Sequence, residues 1–184
     1  LHRRSAEARL WWPALPTRRA RTELAVSGSI EDEDAYRLDV VEAELAALFP
    51  VGHWSSLRAG LQVSQGSLEN RAADPEEFRG DVGLLTALVA TFYRDTSDDP
   101  VSPSRGSRWT LQGEWSPPGA WTDTPLATAR VAGSRYLPAG GGRVLAVRLE
   151  GALAWSLDNG QDVRPDRRLF AGGVSTHRGF ARRQ

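Results

Sequence analysis

Residues 108–115 read Arg-Trp-Thr-Leu-Gln-Gly-Glu-Trp, and they constrain the chain more than any other stretch. Trp109, Leu111, Gly113 and Trp115 alternate with Arg108, Thr110, Gln112 and Glu114. A period of two sorts apolar and polar side chains onto opposite faces of a strand, and a helix would mix them. The same period recurs along the chain. In 21–30, Thr22, Leu24, Val26, Gly28 and Ile30 oppose Arg21, Glu23, Ala25, Ser27 and Ser29. In 54–66, Leu57, Ala59, Leu61 and Val63 oppose Ser56, Arg58, Gly60, Gln62 and Ser64. In 144–155, Leu145, Val147, Leu149, Leu153 and Trp155 oppose Arg148 and Glu150.

The remaining stretches are placed by their neighbours. Residues 5–12 form a short strand before a turn at Pro13, Pro16 and Thr17, and 126–137 form another before the tight turn 138–142. Residues 36–49 fit a helix on propensity. Val41, Ala43, Leu45 and Ala47 against Glu42, Glu44 and Ala46 fit a strand once a bulge is allowed near Val40. Among its neighbours, strand is the better reading. Residues 82–93 are apolar on both faces, and only their β-branched and aromatic content favours a strand. Residues 68–79 are long and polar and read as a loop; 94–107, broken by Pro100, Pro103 and Gly106, read as a turn. The total is about eight strands with no convincing helix, an all-β chain.

A soluble β-sandwich also alternates. Two features favour an antiparallel transmembrane β-barrel instead. Arg58, Arg108, Glu114, Arg148 and Glu150 all fall mid-strand on the polar face, where a water-filled lumen tolerates them, while the opposite face is almost free of charge. Connection lengths also alternate loosely. With 168–180 on the outer side, the short turns 138–142 and 49–52 fall on the inner side and the long 68–79 on the outer, as in such barrels. Residues 94–107 are the exception, long but on the inner side. No run of about 18 apolar residues exists for a transmembrane helix. The 184 residues contain no Cys and no Met, not even at position 1, so the chain is expected to be processed or a piece of a longer one. Its 23 cations are all Arg and its net charge is zero, which argues against a nucleic-acid protein working through a large positive field.

Catalytic chemistry finds little support. His2, His53 and His177 are scattered, no Gly-x-Ser-x-Gly elbow is present, and Gly140–Gly142 lacks the Lys of a P-loop. Asp95, Asp98 and Asp99 lack the spacing and terminal Glu of an EF-hand, so a capped turn is the better reading. No catalytic residue, metal or cofactor is expected. The acidic run 31–34 reads as a solvated loop.

Residues 168–180, Arg-Leu-Phe-Ala-Gly-Gly-Val-Ser-Thr-His-Arg-Gly-Phe, have on their own the composition of a Gly-rich surface loop. Phe170-Ala171-Gly172-Gly173 followed by Arg178-Gly179-Phe180 nevertheless resembles the signature loop of the BamA/TamA superfamily of outer-membrane assembly barrels. The long inner turn supports this independently. Asp95, Asp98, Asp99, Pro100, Pro103 and Gly106 are similar in order and spacing to that family's periplasmic turn, and Tyr136–Pro138 with Val144–Arg148 resemble the strands before its signature loop.

The resemblance implies a partial C-terminal barrel domain over 1–184. The strands would be the fourth to eleventh of a sixteen-stranded barrel. Periplasmic repeat domains and the first and last barrel strands would lie outside the sequence. It further implies a bacterial outer-membrane location and no enzymatic activity. Partners would be outer-membrane protein substrates, accessory lipoprotein or periplasm-spanning subunits, and the lipid bilayer, with no nucleic acid. Arg178 would anchor the loop in the lumen through an acidic partner beyond Gln184, and the Asp/Pro turn would be structural. A two-partner secretion transporter, a passive porin and a soluble β-sandwich binding module are the alternatives.

Overall fold

The computed structural model describes residues 2–13, 19–32, 36–71, 82–119, 121–158 and 163–167. Eight antiparallel strands follow one another in a single sheet whose spatial order is the chain order. They are β1 (His2–Pro13), β2 (Arg21–Asp32), β3 (Tyr36–Pro50), β4 (Ser55–Asn70), β5 (Leu84–Asp95), β6 (Gly106–Ser116), β7 (Leu126–Pro138) and β8 (Val144–Ser156). One short 3-10 turn, η1 (Pro165–Arg167), follows them. With lengths of 11 to 16 residues, the strands match or exceed the roughly 9–11 residues that a tilted strand needs to cross a bilayer.

Register turns the alternation into a surface. Leu10, Leu24, Leu45, Leu61, Leu88, Trp115, Ala127 and Trp155 form one continuous row of paired residues across all eight strands. Leu10 is 63% exposed, Leu45 50% and Trp155 45%. A soluble sandwich would cover this row with a second sheet; among the described residues there is none. The opposite face carries Glu7, Arg9, Glu23, Arg58, Arg108, Glu114, Arg148 and Glu150. Large apolar groups that stay exposed on one face, with charges gathered on the other, invert the soluble pattern and match a barrel wall between lipid and water.

Three details differ from expectation. β3 pairs with β2 and β4 in unbroken register through Val40, which lies opposite Ser29 and Gly66, so there is no bulge. Val40 simply takes a place on the charged face. β4 continues to Asn70, with Leu68 opposite Leu38 and Glu69 opposite Arg37, so the loop begins later than the polar run at 68 suggests. Those polar residues belong to a strand that projects past the apolar band. β1 likewise begins at His2 rather than near Ser5.

Because the sheet is a meander, successive connections alternate ends. Residues 51–54, 96–105 and 139–143 lie at one end; 71, 82–83, 117–119, 121–125 and 157–158 lie at the other. At this second end the β6–β7 connection folds back along β5. Asp123 N donates to Leu84 O at 2.8 Å, and Asp123 Oδ2 accepts from Leu84 N at 2.7 Å. This satisfies backbone groups of β5 that β6 does not reach, since the β5–β6 pairing begins only at Leu88 and Trp115. The small core of Leu85, Ala87 and Leu126 lies here.

Candidate functional site

Two constructions stand out, one at each end of the sheet. The first is the β5–β6 connection. Gly106 has φ +100°, and a Cβ placed there would overlap the Thr96 carbonyl, so the entry to β6 admits only glycine without strain. Thr96 closes the connection: its N donates to Ser107 O at 2.9 Å, and its Oγ1 accepts from Ser107 N at 3.1 Å. Three carboxylates then organise what lies between. Asp95 Oδ1 accepts from Ser97 N at 2.8 Å, while its Oδ2 accepts from Arg108 Nε at 2.9 Å. Asp98 Oδ1 accepts from the amides of Ser104 at 2.9 Å and Arg105 at 3.1 Å, and the Ser104 hydroxyl donates to Oδ2. Asp99 Oδ1 accepts from the amides of Val101 and Ser102, each at 2.7 Å. Arg108 reaches in from β6 and donates to the carbonyls of Asp99 at 3.0 Å and Pro100 at 2.8 Å.

These are Asx-type bonds, in which a carboxylate replaces the absent ladder partners of a turn. Their electrostatic signature is a lowered pKa. The Ser104 hydroxyl first, then the Arg105 and Ser104 amides, hold the Asp98 carboxyl down at about 2. The Ser102 and Val101 amides lower Asp99 in the same way. The carboxylate oxygens are spent on N–H and O–H donors rather than converging on a point where a cation could sit. Pro100 is exposed and Pro103 half-buried in the same turn.

The second construction lies on the charged face near the other end. η1 is held there by two arginines. Arg164 has a fully buried side chain; its Nη1 donates to Gly83 O at 3.0 Å, its Nη2 to Ser64 Oγ at 3.5 Å, and its Nε to Asp166 at 2.8 Å. Arg167 joins two distant strands. Its Nε donates to both carboxylate oxygens of Glu114 at 3.1 Å, and its Nη2 donates to Glu42 at 3.1 Å. Asp166 pairs with Arg167 as well, at 3.3 Å. Gln62 donates to Glu42 at 2.5 Å, fixing that carboxylate from the neighbouring strand.

This cluster fixes the shape of the wall. Glu114 shares its row of paired residues with Ala46, whereas Glu42 lies two pleat repeats further along β3. On a flat sheet the two would be roughly 14 Å apart across the strands and roughly 13 Å apart along them. One guanidinium contacts both, so the charged face is concave. Another ion cluster lines the same face: Arg58 of β4 pairs with Glu44 of β3, and with Glu23 of β2 at 3.6 Å.

The structure places Asp95, Asp98, Asp99, Pro100, Pro103 and Gly106 together in one turn. Phe170, Gly172, Gly173, Arg178, Gly179 and Phe180 lie outside the described residues. The η1 cluster is absent from the sequence-based expectations. Alternation assigns Glu42 and Glu114 to the polar face, but no local pattern couples either to an arginine far downstream.

Comparison with known proteins comes to bear on this geometry. A family model described as the Omp85 superfamily domain matches residues 2–184. No curated protein matches. Among solved structures, the crystal structure of BamA from Haemophilus ducreyi lacking POTRA domains 1-3 is similar with a TM-score of 0.80 at 19% identity. The match covers 97% of this chain and 38% of that one, so the sequence spans well under half the length of that relative. At this identity the likeness is one of fold: an eight-stranded segment of a barrel wall.

Proposed function

The chain belongs to the Omp85 superfamily, and on that premise we propose that it is part of the membrane barrel of an outer-membrane protein assembly or translocation factor of the BamA/TamA type. The carrying observation is the inverted wall. An uncovered apolar row runs across eight strands, and the concave reverse face is laced with ion pairs from β1 to η1. Such a wall suits lipid on one side and an aqueous lumen on the other.

In this reading residues 1–184 are a partial C-terminal barrel domain, the fourth to eleventh strands of sixteen, in the bacterial outer membrane. The two uncovered edges, β1 and β8, pair with further strands of the same barrel, because unpaired backbone in hydrocarbon costs several kcal/mol per group. The protein works without catalysing a bond change. Its substrates are β-barrel or autotransporter proteins, offered a site for strand pairing by β-augmentation, with accessory lipoprotein or periplasm-spanning partners. The look of the Asp/Pro turn and of 170–180 favours the TamA branch. Arg178 holds residues 170–180 in the lumen through a carboxylate, and the 95–106 turn is a structural element on the periplasmic side.

The test uses the full-length gene in a host depleted of its own copy. Arg178→Ala is expected to lower assembly of a reporter outer-membrane barrel while the protein itself remains folded and abundant. Full complementation by Arg178→Ala would refute the assigned role of that arginine. Ion conductance by the wild type without any assembly defect on depletion would point instead to a passive pore. Export of one dedicated substrate would point to a two-partner secretion transporter.

A further inference from the structure

We propose that Arg167 is a positioning residue: by joining Glu42 of β3 to Glu114 of β6 it fixes η1 on the lumenal wall, and so sets where the chain enters residues 168–180. The inference rests on the reading of 170–180 as the working loop.

η1 cannot hold its own place. It is three residues long, with one internal bond, Arg167 N to Arg164 O at 2.9 Å. A single 3-10 turn has little intrinsic stability. Its location therefore comes from side chains. Arg164 ties it to Ser64 of β4 and to the Gly83 carbonyl just before β5. Arg167 ties it to β3 and β6. Four wall positions that do not lie on one line fix orientation as well as location.

The chemistry of Arg167 suits this task. A planar guanidinium can present separate edges to two carboxylates, which a lysine ammonium on a flexible stem does with less geometric control. The cluster holds two cations, Arg164 and Arg167, against three carboxylates, Asp166, Glu42 and Glu114. Losing Arg167 would leave one cation for three anions. Glu42 and Glu114 would then repel Asp166, so the wall that holds η1 would push it away. Arg58, paired with Glu44 and Glu23, lies on the same face without touching η1 and serves as the control.

The experiment compares wild type, Arg167→Gln, Arg167→Lys and Arg58→Gln in the full-length protein, embedded in lipid nanodiscs for hydrogen exchange and expressed in depleted cells for assembly of a reporter barrel. Arg167→Gln is expected to speed amide exchange across 163–167 by about tenfold or more, the effect of losing a charge-assisted contact, while exchange in β3 and β6 stays at the wild-type rate. Reporter assembly falls in parallel, Arg167→Lys lies between, and Arg58→Gln leaves 163–167 protected. Should Arg167→Gln not fold, Arg167→Lys carries the comparison. Unchanged exchange at 163–167, or an equal rise through β3 and β6, overturns the anchor. Local loss of protection with wild-type assembly overturns the positioning role. Failure of the wild type itself to support assembly would sink the functional reading and leave the exchange comparison intact.

Discussion

Three glycines allow backbone strain and steric overlap to be separated in one series. Gly28, in β2, has no positive φ, and a Cβ added there would meet nothing within 4 Å. Gly140, in the β7–β8 turn, has φ +76° and equally open surroundings. Gly106 has φ +100° and a Cβ position that overlaps the Thr96 carbonyl. Gly28→Ala should therefore be neutral or stabilising by up to about 0.5–1 kcal/mol, since glycine is the worse strand residue. Gly140→Ala should cost only the left-handed backbone, roughly 1–2 kcal/mol. Gly106→Ala adds displacement of a carbonyl whose residue is tied at two atoms to Ser107, an overpacking cost of roughly 1–3 kcal/mol. Its total is then roughly 2–5 kcal/mol. The assay is urea unfolding of the full-length protein in lipid vesicles, followed by Trp fluorescence and heat-modifiable mobility. The midpoints should fall in the order Gly28→Ala, Gly140→Ala, Gly106→Ala. A Gly106→Ala midpoint equal to that of Gly140→Ala would refute the reasoning, because the Thr96 carbonyl would then be yielding freely.

Two further outcomes follow from the same geometry. Trp109 lies directly opposite Gly133, and a Cβ there would overlap its ring. Gly133→Ala is expected to destabilise by about 1–3 kcal/mol, and the double variant with Trp109→Ala by less than the sum of the two single changes, read from the same urea curves. The Asp98 carboxyl is depressed from 3.8 to about 2, so its ionised form supports the turn above the ordinary value and that support is lost as pH falls through about 2. Carbonyl NMR of Asp98 in the micelle-embedded full-length barrel should show that low midpoint, and Ser104→Ala should raise it; a wild-type midpoint near 3.8 would contradict the bonding described.

Legibility in the sequence followed the environment of each strand. Residues 108–115 alternate because one face of β6 is apolar and the other carries charge, so strands of this kind are recoverable from pattern alone. β5 resisted that reading for a physical reason. Leu85 and Ala87 lie on the charged face yet are 0% and 1% exposed, clustered with Leu126 where the β6–β7 connection bonds to the start of β5. A concave face that is partly filled admits apolar groups, and alternation fades. Val40 shows the same effect: treating every apolar residue as outward calls for a bulge, while the register places Val40 inward without one. Leu68–Asn70 err the other way, since polar residues at a strand end beyond the apolar band look like loop.

The η1 cluster belongs to a different class of information. Period two gives each residue a face, but it does not say which residues of distant strands approach one another across that face. That depends on curvature, which the sheet acquires only as a whole. Glu42 and Glu114 are brought within reach of one guanidinium by the concavity of β3–β6, and Arg167 arrives after the last described strand. Removing either glutamate would leave Arg167 with a single wall carboxylate, and the orientation of η1 would then rest on Arg164 and one remaining contact. The geometry therefore makes the wall's curvature and the entry to 168–180 mutually dependent: a flatter sheet separates Glu42 from Glu114, and a displaced η1 withdraws the cation that holds them together.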